Sequence, residues 1–246
     1  MYEHPRKHAK VHASELAHIE SDLQSEPASD TATDTKYTWG ALLKYPQTWA
    51  FALGKFLTDP IWWFYLFWLP DFLKKEYGLS DTGVAMPVAL AYTIATFGSI
   101  FGGWLPLHLV KLGKPILSAR KLSMLIYACC ALPVVMAQWL GAQNMWLAVF
   151  IIGFAMAAHQ AWSANIFTTV SDMFPSKATA SVTGIGGMFG AIGGIIVSKS
   201  AGKLFDYYKS LGHVQTGYFI MFIICGLAYV LAWVLMQSLT RKAQKI

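Results

Sequence analysis

Six stretches of this chain, about residues 47–70, 83–109, 116–139, 145–168, 180–204 and 216–240, are apolar over the length that crosses the hydrocarbon of a bilayer as a helix. That pattern leaves few folds open. Lipid offers no water to backbone N–H and C=O groups, so each stretch must satisfy them internally, and a helix does so. A membrane β-barrel would show short segments of strict alternation, which these blocks lack. Composition agrees, with 55% of residues hydrophobic and 13% charged, against about a quarter charged in soluble domains. The expected fold is an all-α membrane protein, six transmembrane helices over residues 46–240, with polar segments 1–45 and 241–246 at its ends.

Met1 opens a polar run without the apolar core of a signal peptide, so residues 1–45 are expected in the cytoplasm. The Ser/Thr/Asp/Pro-rich second half of that run reads as a flexible linker, and Ser14 to Ser21 as one or two amphipathic turns with Ser14 as N-cap. With the tail inside, the inner side holds Lys36, Lys44, Lys111, Lys114, Arg120, Lys121, Lys177, Arg241, Lys242 and Lys245. The outer side holds Lys74, Lys75, Lys199, Lys203 and Lys209. That bias places both termini inside. The net charge of +6 needs no nucleic acid, because the basic residues sit at helix ends, where anionic lipid heads attract them. Cys129, Cys130 and Cys225 lie within apolar spans, have no metal-ligand spacing and read as packing residues. Only the connections near HLVKLGKPILSARK and DYYKSLGHVQTG look long. A separate soluble catalytic domain has no room, so any activity lies in the spans or in a partner.

The first span contradicts its own apolarity in GKFLTDPIWWFYLFWLP. Lys55 and Asp59 are four apart and share a helix face. Each alone at the bilayer centre would cost about 2.5–3.5 kcal/mol, and such residues turn toward a partner or a water-filled path. Two readings stand: an ion pair that only neutralises itself, or a site in which Lys55 attracts an anion while Asp59 holds Lys55 or takes up a proton. Pro60 removes a backbone hydrogen bond just beyond Asp59 and frees a carbonyl near any such cavity. Trp62 and Trp63 lie deep enough to offer flat faces to a sugar ring, whereas Trp68 and Tyr65 read as an interfacial belt.

The fourth span carries a second polar run, AHQAWSANIFTTVSDMFP. His159, Trp162 and Ser163 fall on one stripe and Asn165, Thr168 and Asp172 on another. Unsatisfied polar atoms in hydrocarbon are expensive, so His159, Gln160, Ser163 and Asn165 together make a second candidate site. A serine hydrolase built on His159 lacks a Gly-x-Ser-x-Gly setting for its nucleophile, so no enzyme is expected. Gly186, Gly190 and Gly194 in the fifth span, with Gly98 and Gly102 in the second, form bare stripes for close helix packing.

These segments, with GGWLPLHLVKLGKPILSARK and ASVTGIGGMFGAIGG, resemble the second half of a major facilitator superfamily transporter. Within that superfamily they are most similar to the anion:cation symporters, and among these to hexuronate (glucuronate/galacturonate) transporters. The resemblance runs from about Tyr2 to the C-terminus. It implies two six-helix bundles rocking about a central site in a bacterial inner membrane, and it makes the 1–45 segment similar to the loop joining the two halves. It implies a sugar-acid substrate, a proton as coupling ion and no cofactor. Lys55, Asp59 and Trp62, with His159, Gln160, Ser163 and Asn165, would face the cavity. Leu107 and His108 stand where the family's conformational-switch motif commonly has an acidic residue. The implied partners are the substrate, the bilayer and an N-terminal six-helix half that this sequence does not contain; another carboxylate as substrate, or a fragment that does not transport, are the alternative readings.

Overall fold

In the computed structural model, residues 5–8, 10–17 and 37–240 are described; the expected linker and the basic residues Lys36, Arg241, Lys242 and Lys245 lie outside this set. The chain divides into two units, residues 1–36 and 37–246. In the first, Pro5–Lys7 makes one 3₁₀ turn and residues 13–17 are helical. The Leu16 amide bonds the His12 carbonyl at 2.9 Å. The helix therefore starts after His12, and Ser14 lies inside it instead of capping it.

Among its described residues the second unit is built of helices joined by short turns. After a single turn at Trp39–Leu42 come α1 (Pro46–Tyr77), α2 (Ala85–Lys111), α3 (Ile116–Gly141), α4 (Met145–Met173), α5 (Ser176–Ser210) and α6 (Val214–Leu239). The last five are long and apolar enough to cross a membrane. This is a multi-span membrane protein. At 32 residues α1 is long enough, but Lys55 and Asp59, and the charges from Asp71 to Glu76, keep it outside that apolar class.

Several boundaries differ from expectation. The stretch around DYYKSLGHVQTG is helical but for residues 211–213, and the basic stretch before α3 opens only over 112–115. Gly212 and Gly113, at φ 75° and 87°, turn the chain within that short space, because a left-handed residue can end one helix and reverse direction at once. The longest described connection inside the bundle is instead 78–84, where Lys74 meets Asp81 at 2.5 Å. The hydrogen bond and charge of Lys74 hold the Asp81 carboxyl below the usual carboxylate range.

Proline shapes two of the helices. In α3 Pro133 removes a bond from the ladder, and Leu132–Met136 tightens into 3₁₀ geometry before helix resumes. α1 runs through both Pro60 and Pro70. The carbonyl deprived of its bond by Pro60 is that of Phe56. It lies against Gly193 of α5, where a Cβ would collide with it, and not in a cavity.

α1 and α4 form the middle of the bundle. α5 and α6 pack on α1; α2 and α3 pack on α4. Over its most apolar stretch α4 is 56% buried and α2 only 22%, so α4 is central and α2 peripheral. Glycines set the two closest seams. A Cβ at Gly98 or Gly102 would strike the backbone of Ala157 or Ala161 on α4. One at Gly186, Gly190 or Gly194 would strike Phe51, the Asp59 carboxylate or Trp63 on α1. Helices in lipid gain association from such close contact, since apolar side chains alone prefer neither lipid nor protein.

Polar clusters tie both ends of the bundle. At one end Arg120 pairs with Asp172, Lys121 donates to the Thr240 carbonyl at 3.0 Å, and Trp233 donates to the Lys121 carbonyl at 2.8 Å. At the other, Asp71 accepts from Lys75 at 2.7 Å and from Tyr218, and Gln138 donates to the Gln215 carbonyl at 3.1 Å.

Candidate functional site

Between the middles of α1 and α4 lies a polar hollow of about 240 Å³, lined by Lys55, Asp59, Trp62, Trp63, His159, Gln160 and Ser163. Its α1 wall follows from helical spacing, because residues 55, 59, 62 and 63 recur at intervals of three and four. On α4 the same spacing places 159, 160 and 163 together.

Lys55 Nζ lies 2.8 Å from Asp59 Oδ2, with the two side chains 6% and 20% exposed. The pair is largely out of solvent yet opens onto the hollow through its carboxylate. Lys55 Nζ also sits 4.0 Å from the centre of the Phe167 ring, whose electron-rich face attracts a cation. Two partners therefore compensate one buried ammonium. Asp59 in turn lies against Gly190, whose missing side chain leaves room for its carboxylate.

His159 is fixed on two sides. Its ring stacks on Trp62, with centroids 5.1 Å apart and planes 18° from parallel. Its Nδ1 is 2.7 Å from the Tyr229 hydroxyl on α6. Tyr92 of α2 meets Trp62 edge-on at 5.7 Å. Thus the indole and imidazole form one wall that α2 and α6 hold from behind, leaving the second imidazole nitrogen as the adaptable polar group.

Asn165 is not part of the hollow. Its amide donates to the Gly102 carbonyl at 2.6 Å and to the Ala161 carbonyl at 2.9 Å, in the seam between α2 and α4. Gly98 and Gly102 bring that backbone close enough for the bond, so Asn165 locks helices together. Trp162 also leaves the stripe it shares with His159: fully buried, it packs edge-on against Tyr229 at 5.6 Å. Asp172 goes to the ion pair with Arg120.

Phe167 and Tyr229 were not among the expected site residues. Phe167 lies four residues beyond Ser163 on the stripe that faces the hollow, a usable signal. Nothing in the run around Tyr229 points to His159, because the contact joins separate helices. Among the described residues no His, Cys, Asp and Glu cluster could hold a metal ion.

A sequence model of the Major Facilitator Superfamily matches residues 3–198. The hexuronate transporter of Escherichia coli is 29% identical over 172 residues, covering 70% of this chain and 39% of that protein. The galacturonate transporter of Dickeya chrysanthemi is 30% identical over 122 residues, covering 49% and 35%. The probable galactarate/D-glucarate transporter GudP of Bacillus subtilis is 26% identical over 197 residues, covering 78% and 42%. The chain spans about two fifths of the length of these relatives.

Proposed function

The chain belongs to the Major Facilitator Superfamily, and from that premise we propose that it forms the second six-helix half of a bacterial inner-membrane transporter for an anionic sugar acid, hexuronate first, moved together with a proton. Membership places it with transporters and not with enzymes. The observation that carries the substrate class is the Lys55–Asp59 pair at the edge of a hollow whose other walls are aromatic and hydrogen-bonding. A sugar acid has a carboxylate for Lys55, hydroxyls for Gln160, Ser163 and His159, and a C–H face for an indole. Relatives named for hexuronate and galacturonate support that choice. This half offers the hollow one cation, which suits one carboxylate; a dicarboxylate needs a second cation from the other half.

Coupling follows from the pair itself. Lys55 is held by Asp59 until either an incoming carboxylate competes for it or a proton neutralises Asp59. Proton and anion therefore favour each other at one site. A bound proton also cancels the substrate's charge, and moving one charge through 100 mV costs about 2.3 kcal/mol.

The test is uptake of radiolabelled galacturonate and glucuronate by a bacterium without its own sugar-acid transport, expressing this chain with and without a related first half. Entry that requires both halves and collapses with a protonophore is the expected result. No entry of any sugar acid, with both polypeptides present in the membrane, would overturn the proposal.

A further inference from the structure

α2, α3 and α4 enclose an apolar groove of about 330 Å³, walled by Phe97, Phe101 and Trp104 on α2, Ile126 on α3, and Phe154 and Ala158 on α4. It lies on the side of α4 away from the polar hollow and belongs to no part of the site above. Its one nearby hydroxyl is already committed, since Tyr127 donates to the Phe101 carbonyl at 3.0 Å. The groove is therefore dry, and only an apolar occupant fits it.

The stripe that makes its α2 wall does not end with the groove. Phe97, Phe101 and Trp104 advance by four and three residues, and the same stepping continues to His108 and Lys111. His108 stacks on Trp104, centroids 5.0 Å apart and planes 11° from parallel. Lys111 follows, and Lys114 stands in the turn just beyond. Both lysines are exposed, and among the described residues neither has an ion-pair partner, whereas nearby Arg120 is paired with Asp172. An apolar channel thus runs directly into an uncompensated basic cluster. From Phe97 to Trp104 the groove is about 10 Å long, and Lys111 lies about 10 Å further along the helix. Those two spans match part of an acyl chain and the glycerol and phosphate above it.

We propose that this groove is a binding site for an anionic phospholipid, one tail lying between α2, α3 and α4 and the head group held by His108, Lys111 and Lys114. The site is independent of the transport reading. Each lysine near an anionic head group contributes on the scale of basic residues at a charged membrane surface.

Native mass spectrometry of the chain in detergent, with phosphatidylglycerol or phosphatidylcholine added, tests the site. Wild type retains one phosphatidylglycerol in preference to phosphatidylcholine. In Lys111→Gln/Lys114→Gln that preference falls by about thirtyfold, the effect of two basic groups at an anionic surface. Ile126→Trp, which fills the groove from a half-exposed position, loses the retained lipid whichever head group it carries. Lys177→Gln, an exposed basic change away from the groove, keeps it. Retention unchanged in the first two variants, or lost equally in Lys177→Gln, would overturn the site. So would displacement of the lipid by a co-expressed first half, which would make the groove a helix–helix interface.

Discussion

Lys55 and Asp59 answer to two demands, stability and chemistry, and one set of variants separates them. Removing one member of a buried pair strands the other and costs about 3–5 kcal/mol, while removing both is far milder. Lys55→Ala should therefore lower the melting temperature in detergent, and Lys55→Ala/Asp59→Asn should recover most of that loss. Uptake by a complete transporter should be absent in both. A double variant that regains stability and also transports would reduce the pair to a structural device. Cation–π contact with Phe167 makes the reverse single change, Asp59→Asn, the milder one, since Lys55 keeps a partner. At this scale the sequence was informative for most pairs on one helix, Trp162 excepted, which turns from His159 into the core against Tyr229. Lys55 with Asp59, and His159 with Gln160 and Ser163, follow from steps of one, three and four. Contacts between helices were not readable: Tyr229 behind His159, Phe167 over Lys55 and Gly190 against Asp59 depend on how α1, α4, α5 and α6 cross. Asn165 was misplaced for the same reason, its polar stripe pointing into a seam with Gly102 rather than into open space.

Within elements, glycine has different consequences at nearby positions, and paired variants expose them. A Cβ at Gly98 would meet the Ala157 backbone, and one at Gly190 the Asp59 carboxylate, whereas Gly103 and Gly187 have nothing within 4 Å. Gly98→Ala and Gly190→Ala should each destabilise by about 1–3 kcal/mol through overpacking. Gly103→Ala and Gly187→Ala should be neutral or stabilising, because alanine is the better helix former by about 1 kcal/mol. Thermal unfolding in detergent reads all four; equal losses at the four sites would remove the seams as the cause. Gly190→Ala should also impair coupled transport more than Gly98→Ala, since only the former moves a member of the ion pair. The apolar blocks located the helices but not their ends. α5, at 35 residues, is about 52 Å long, well beyond the roughly 30 Å of hydrocarbon. Its first and last turns are polar, so hydropathy truncates it, and residues read as an outer loop are helix. Glycines with positive φ at 113 and 212 were the available signal for how little chain the turns need.

Orientation is a property of the whole molecule, and the distribution of basic side chains around the bundle makes a definite prediction for it. Successive helices alternate in direction, so the start of α1, the end of α2, the start of α3, the end of α4 and the start of α5 lie at one end. Lys44, Lys111, Lys114, Arg120, Lys121 and Lys177 gather there. The opposite end has Lys74 and Lys75 on α1 and Lys203 and Lys209 near the end of α5. Lys199 lies deeper, and its long side chain reaches toward the same end. Lysine and arginine near short loops set topology, acidic residues contributing little, so we predict that the richer end faces the cytoplasm. The connection 78–84 and the turn 211–213 then face outward, and 112–115 inward. Single cysteines at these places test it in a chain whose Cys129, Cys130 and Cys225 are changed to alanine. In intact spheroplasts a membrane-impermeant maleimide should label Asp81→Cys and Leu211→Cys, and should label Lys114→Cys only after permeabilisation. The reverse pattern would invert the molecule. It would also remove Lys111 and Lys114 from the anionic inner leaflet, so the same labelling decides whether the lipid groove and the cytoplasmic surface coincide.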